Sequence, residues 1–234
     1  MEYGYLKENL DELKTDIINV CKNAGRDYNS VKLVAVSKTF SPEIINEVYN
    51  LGLEDFGENK VQELKDKQTA LSGLPLKWHL VGHLQTNKVK YIADFVSLIH
   101  SVDSFKLALE IQRYAELKDR MIDILVQVNT SGEDQKSGLQ SDDTARVCAE
   151  ISTLDRLRLK GLMTIGMFTS DEDEIRSNFR LLRNLFEDLK QKHNSFEHLS
   201  MGMTSDYRIA VEEGATILRI GSAIFGRRVP PSRQ

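Results

Sequence analysis

A chain of 234 residues, 41% apolar and 28% charged with only four prolines, can bury the core of one large domain or two small ones, and it lacks the composition of a disordered protein. Lysine and arginine total 31 against 35 aspartate and glutamate, a net charge of −4, and no stretch is basic enough for a nucleic-acid track or apolar enough for a membrane span. Cys21 and Cys148 fall far apart in expected helices, and the acidic start (Glu2, Glu8, Asp11) is unlike a signal or transit peptide, so reduced thiols in a cytoplasm are expected.

Residues 3–23 place Leu6, Leu10, Leu13, Ile17 and Val20 at helical spacing, which predicts an amphipathic helix ahead of the first strand. The next segment runs from Val31 to Lys38 through Leu33-Val34-Ala35-Val36, a run that reads as a strand buried on both faces, the kind found in parallel sheets. Pro42 opens a helix carrying Ile44, Ile45 and Val48, and Gly52 stops it. A short strand over 54–56 leads into Gly57-Glu58-Asn59 and a helix with Val61 and Leu64. Further strands are expected at 78–82, 96–102, 122–129, 159–165, 199–201 and 216–220, each followed by a helical segment. One such segment follows His83-Leu84-Gln85-Thr86-Asn87-Lys88, another spans about 142–154, and another opens on the acidic run from Asp171 to Glu174. Strand and helix alternate eight times, with no repeat or linker to divide the chain. The competing fold is an open doubly wound sheet, but no dinucleotide fingerprint accompanies the alternation. The reading is an α/β fold: one (β/α)8 TIM barrel over residues 1–234 with an extra N-terminal helix.

On a barrel, polar residues at the carboxyl ends of the strands share one mouth, which here collects Lys38, Asn59, His83, Asn129, Thr204, Ser205, Arg219 and Ser222. Lys38 has Val34 and Val36 on its own side of the strand and is a candidate for imine chemistry. Taken alone, the plainer reading is a lysine that snorkels to water. The turn Ser200-Met201-Gly202-Met203-Thr204-Ser205-Asp206 and the pair Arg219 with Gly221-Ser222 lie where barrels hold phosphate. Either turn alone reads as ordinary helix capping. Both turns facing Lys38 point to a phosphate-bearing carbonyl compound, and pyridoxal phosphate fits.

Seven motifs in order carry a family resemblance: Val36-Ser37-Lys38-Thr39; Phe56-Gly57-Glu58-Asn59 with Gln62-Glu63; His79 through Lys88; Val128-Asn129-Thr130-Ser131-Gly132-Glu133 with Lys136 and Gly138; Gly161-Leu162-Met163-Thr164-Ile165; Leu199-Ser200-Met201-Gly202-Met203; and Arg219-Ile220-Gly221-Ser222 with Phe225-Gly226. Together they resemble the pyridoxal phosphate homeostasis proteins, whose barrel is similar to the N-terminal domain of alanine racemases (fold type III among pyridoxal phosphate proteins). The resemblance implies a Schiff base between Lys38 and the cofactor's aldehyde, with Gly202, Met203, Thr204, Ser205, Gly221 and Ser222 holding its phosphate. It implies that Arg219 faces the pyridine nitrogen, which keeps that nitrogen unprotonated and weakens the ring as an electron sink. Asn59, Met163 and Ser200 would line the ring and its edges. Thr204 departs from the family's usual serine but keeps the hydroxyl. The implied role is to hold pyridoxal 5'-phosphate for intracellular vitamin B6 homeostasis, with knock-on effects on amino-acid metabolism and little or no catalysis. The protein would act as a monomer, with cofactor-dependent apoenzymes as partners and neither nucleic acid nor membrane.

Two other classes compete. An amino-acid racemase needs acid/base groups on both faces of the cofactor, and in racemases the second comes from a neighbouring subunit beside a C-terminal β domain that is not expected here. A class I aldolase would need an acid/base pair near the first strand, where none is evident. His79 and His83 stand ~13 Å apart along an extended segment without a third ligand, so no metal site is expected, and both should be hydrogen-bonded at the mouth. The acidic run reads as a helix N-terminal cluster, Trp78 as core, and Arg227, Arg228 and Arg233 as a solvated tail. In that tail Val229-Pro230-Pro231 replaces the family's usual aromatic residue.

Overall fold

Eight short apolar runs form parallel strands that pair in sequence order: β1 (Lys32–Val36), β2 (Asp55–Glu58), β3 (Lys77–Leu80), β4 (Leu98–Val102), β5 (Ile122–Gln127), β6 (Leu157–Met163), β7 (His198–Ser200) and β8 (Ile217–Ile220). β8 returns to β1, with Leu33 opposite Leu218 and Ala35 opposite Ile220, so the sheet closes into a barrel and the open sheet is excluded. The computed structural model describes residues 3–132, 137–167 and 169–226. The readings on Arg227, Arg228, Val229-Pro230-Pro231 and Arg233, and on Glu133 and Lys136, lie outside the described residues.

Strand alternation divides the apolar residues between two cores. Ala35, Phe56, Leu80, Ile99, Ile124, Leu162 and Leu218 face outward and join the buried faces of the helices in one large cluster. Val34, Leu98, Leu125, Met163 and Ile217 form a separate cluster inside the barrel. Filling both faces is why β1 reads as a continuous apolar run.

The helices are α1 (Gly4–Asn23), α2 (Pro42–Asn50), α3 (Val61–Ala70), α4 (Phe105–Leu117), α5 (Ser141–Ile151), α6 (Glu172–Lys190), α7 (Tyr207–Glu212) and α8 (Ser222–Phe225). α7 and α8 are too short to cover their strands alone, and α1 completes the outer layer there. It buries Leu6, Leu10, Leu13, Ile17 and Cys21, each leucine or isoleucine contributing roughly 1.5–3 kcal/mol. Polar ties fix the docking: Asn9 Nδ2 donates to the Ile224 carbonyl at 3.0 Å and the Tyr207 hydroxyl to Asp16 at 2.7 Å. The acidic run behaves as expected, because the Asp171 carboxylate caps α6 by accepting from the amides of Asp173 and Glu174. Trp78 is core.

Three local differences matter for the site. β1 ends at Val36, leaving Lys38 two residues beyond the strand in a turn. β2 runs on through Glu58, which carries that carboxylate to the edge of the mouth. Between β3 and β4 the chain forms a 3-10 helix (Thr86–Tyr91) in place of an α-helix, as suits a segment containing Thr86, Asn87 and β-branched Val89. Among the described residues no helix is long and apolar enough to cross a membrane.

Candidate functional site

A cavity of about 690 Å³ opens at the carboxyl ends of the strands. Its lining brings together Lys38, Asn59, His83, Met203, Thr204, Ser205, Arg219, Gly221 and Ser222, with Val36, Phe40, Val81 and Ile165 as its apolar wall.

The Lys38 side is set by a buried ion pair. Lys67, on α3, donates to Glu58 Oε1 at 2.7 Å and to the Ser37 carbonyl at 2.8 Å, and the Ser37 hydroxyl donates to the same Glu58 oxygen at 2.6 Å. On the other side of Lys38, the Thr39 amide donates to Glu63 at 3.0 Å, and Glu63 stands 3.6 Å from Lys67. Thr39 has φ +70°, a left-handed conformation that is unfavourable for a β-branched residue and persists only where its surroundings dictate it. Both neighbours of Lys38 are therefore gripped from behind, while Lys38 itself is half-buried and lines the cavity. Burial raises the Glu58 carboxyl, against the pull of Lys67 and Ser37, and its second oxygen has no hydrogen-bond partner among the described residues. The wall beside Asn59 is tight, since a Cβ on Gly82 would stand 2.3 Å from the Asn59 carbonyl oxygen.

Across the mouth, the turn after β7 and the turn after β8 meet. The Thr204 hydroxyl accepts from the Ala223 amide at 3.3 Å, tying one turn to the other. The Asp206 carboxylate accepts from the Met203 amide at 2.6 Å; burial raises its pKa, opposed by that bond and by the charge of Arg219. The amides of Thr204, Ser205 and Ser222 make no hydrogen bond among the described residues. Three free amides and three hydroxyls facing a cation make a nest for a phosphoryl group.

Arg219, on β8, is buried at the cavity floor and donates to the Ser200 hydroxyl at 2.6 Å and to the Thr164 carbonyl at 2.7 Å. Burial lowers its pKa to about 10, which leaves it charged at neutral pH. It forms no ion pair among the described residues. A buried cation held only by neutral acceptors is costly unless a ligand completes its shell.

Of the residues expected at the site, Lys38, Asn59, Met203, Thr204, Ser205, Arg219, Gly221 and Ser222 line the cavity. Met163, Ser200 and Gly202 do not. Met163 belongs to the apolar cluster inside the barrel, and Ser200 is fully buried beneath Arg219. Gly202 has φ +92°, and a Cβ there would meet the Ala210 Cβ at 2.5 Å, so it serves close packing of the turn. Asn129 is buried in its own turn, where its side chain accepts from the Ser131 amide at 3.1 Å. His83 lies at the rim, 3.4 Å from Asp103, whereas His79 is deep in the barrel and not at the mouth. Among the described residues no group of three or more His, Cys, Asp or Glu side chains is placed to hold a metal. Sequence reasoning missed the clamp. A signal was there, with Glu63 and Lys67 four apart on one helix face and two acidic residues nearby, but that pattern is common on exposed helices.

The lining fits pyridoxal phosphate by its donor set: an amine for an aldehyde, a nest for a phosphate, and a fixed cation.

The family model "Alanine racemase, N-terminal domain" matches residues 9–229. The pyridoxal phosphate homeostasis protein of Aquifex aeolicus is 44% identical over 222 residues, covering 94% of this chain and 97% of that protein. Its counterpart in Pseudomonas aeruginosa is 41% identical over 225 residues, covering 95% of this chain and 96% of that protein. Among solved structures, PipY of Synechococcus elongatus with PLP bound superposes with a TM-score of 0.83 at 35% identity, covering 94% of this chain and all of that one. The alanine racemase of Clostridium difficile superposes with a TM-score of 0.74 at 14% identity over 92% of this chain and 59% of the racemase, a likeness of fold.

Proposed function

Because the chain belongs to the pyridoxal phosphate homeostasis proteins, within the wider family of alanine racemase N-terminal domains, we propose that it binds pyridoxal 5'-phosphate and serves the cell's supply of that cofactor. The observation that carries this reading is one cavity containing the Lys38 amine, a buried Arg219 that forms no ion pair among the described residues, and two turns in which the amides of Thr204, Ser205 and Ser222 make no hydrogen bond among the described residues. When bound, the cofactor supplies an aldehyde for reversible capture of an amine and an electron-withdrawing ring.

Lys38 offers its Nζ to the aldehyde, and the clamp of Glu58, Glu63 and Lys67 holds its backbone against the pull of that bond. The amides of Thr204, Ser205 and Ser222 and their hydroxyls receive the phosphate, whose charge of about −1.5 to −2 suits such a nest. Met203 and Gly221 contribute the backbone of these turns. Arg219 presents a permanent positive charge to the ring nitrogen, while Asn59 lines the ring's edge. Met163, Ser200 and Gly202 support these groups from behind.

Holding, rather than turnover, is the proposed activity. The titratable side chains lining the cavity are Lys38, His83 and Arg219; His83 is exposed at the rim and Arg219 keeps its proton. Racemisation needs a proton donor and acceptor on opposite faces of a substrate. We infer a monomer acting in the cytoplasm, with cofactor-dependent apoenzymes as recipients; the two free, buried cysteines support a reducing compartment.

The test is a titration of pyridoxal phosphate into cofactor-free protein, followed by visible absorbance. A saturable, stoichiometric new band is expected. A spectrum equal to the sum of free cofactor and protein would contradict the proposal.

A further inference from the structure

The interior of the barrel is not wholly apolar. Beside the Val34, Leu98, Leu125, Met163 and Ile217 cluster runs a chain of buried polar side chains that links the bottom of the barrel to the cavity floor. Asp55 Oδ1, at the start of β2, lies 2.9 Å from His79 Nε2 on β3. His79 Nδ1 lies 2.9 Å from His100 Nε2 on β4, and His100 Nδ1 lies 2.9 Å from the Ser200 hydroxyl on β7. That hydroxyl is the one that accepts from Arg219 at 2.6 Å. No residue of this chain except Arg219 reaches the cavity, and the proposed binding chemistry does not use the rest.

The two ends fix the polarity of everything between them. A guanidinium only donates, and a carboxylate only accepts. Asp55 is ionised: although burial raises its pKa, the hydrogen bond from His79 and the charge of Lys32 at 3.3 Å hold it below the usual range. Starting from that end, His79 must carry its proton on Nε2, so its Nδ1 accepts from His100 Nε2–H. His100 Nδ1 is then an acceptor and receives the Ser200 hydroxyl proton, leaving the Ser200 oxygen to accept from Arg219. Every donor meets one acceptor with both imidazoles neutral, and burial lowers the pKa of both histidines, which agrees. Charging either ring would turn His100 Nδ1 into a donor and leave the Ser200 hydroxyl proton without its acceptor.

We propose that Asp55, His79, His100 and Ser200 form a one-way hydrogen-bond relay that positions Arg219 as a fixed donor at the cavity floor. These are positioning residues, since none of them lines the cavity. With Ser200 and Thr164 each taking one terminal nitrogen, the guanidinium plane is held and its remaining N–H groups keep one direction. The relay's reach to the cofactor's ring nitrogen rests on the proposed function above; the relay itself does not.

The deciding experiment is therefore done on cofactor-free protein. Two-bond nitrogen–proton correlation NMR at neutral pH should find His79 and His100 both neutral and both protonated on Nε2. A proton on Nδ1 of either ring, or a charged ring, would overturn the relay. Asp55→Asn replaces an end that only accepts by one that can also donate, so a single tautomer should give way to a mixture at both histidines. Lys32→Gln, which leaves the carboxylate in place, should retain the single tautomer. Unmoved tautomers in Asp55→Asn would show that Asp55 does not set the direction. Ser200→Ala provides the second variant: it should release the His100 tautomer, and a His100 still fixed would equally contradict the proposal. Added pyridoxal phosphate then tests the reach, since the bound absorption band of Asp55→Asn should shift from that of the parent. An unshifted band confines the relay to the barrel interior, whereas loss of binding by the parent refutes the proposed function and leaves the NMR result standing.

Discussion

The mouth of the barrel and its interior use polar residues in opposite ways. At the mouth, Lys38 is half-buried, the amides of Thr204, Ser205 and Ser222 make no hydrogen bond among the described residues, and the apolar wall includes the exposed Ile165. In the interior, Asp55, His79, His100 and Ser200 satisfy one another in a chain that ends on Arg219 at the cavity floor, and the Glu58–Lys67 pair behind Lys38 is likewise sealed from water. Groups of the first kind keep bonding capacity free for a ligand. Those of the second spend theirs on one another, so their removal is felt by the fold. A residue's contribution to binding and its contribution to stability should therefore separate according to region.

The largest separation is expected for Lys38→Ala, which should abolish covalent capture altogether while the midpoint of urea unfolding stays put, because the Lys38 side chain makes no hydrogen bond or ion pair among the described residues. Lys67→Met is its mirror image. It leaves the buried Glu58 carboxyl without its cation and with only the Ser37 hydroxyl as a partner among the described residues, and urea unfolding should show a loss of ~3–5 kcal/mol. Adding Glu58→Gln should restore part of that loss, and an additive double variant would show that the pair is not coupled. Gly202→Ala should cost about 1–3 kcal/mol, from a Cβ 2.5 Å from that of Ala210 in a left-handed backbone, with cofactor affinity following only as the turn shifts.

A pH series divides the two regions again. Burial holds His79 and His100 below the usual histidine range, so the unfolded chain binds protons that the folded one refuses. Stability should therefore fall as pH drops below ~6.5, the unfolded value, at up to ~1.4 kcal/mol per unit per histidine until the folded pKa is reached. His100→Gln should flatten that slope, and a slope unaltered by it would contradict the division. The smallest effect is at Thr204. Thr204→Val should cost ~0.5–1.5 kcal/mol by cutting the 3.3 Å tie between the two turns, whereas Thr204→Ser should be neutral in thermal melts.

The same division explains what the sequence made legible. Strand alternation and the Leu6–Ile17 stripe follow from local periodicity, and the barrel with its extra helix was readable from them. The residues at the mouth were readable because they follow strands directly, in Lys38, in Thr204-Ser205 and in Gly221-Ser222. Interior partnerships were not. His79 and His100 meet across two strands, and Ser200 and Arg219 join them from the far side of the barrel, contacts that only closure and register create. Ser200 and Met163 were expected at the ligand's edge from the family resemblance alone; both are buried, Met163 in the apolar cluster inside the barrel and Ser200 against Arg219, a depth that no local pattern encodes. The 3-10 segment was missed since its apolar spacing, Val89 with Ile92 and Ala93, resembles one turn of an α-helix.

Borohydride reduction of the protein loaded with pyridoxal phosphate, followed by peptide mapping, shows which amine captures the aldehyde. One labelled lysine, Lys38, is expected, with the label gone in Lys38→Ala and intact in Lys67→Met under folding conditions. Label on another lysine, or none, would contradict it.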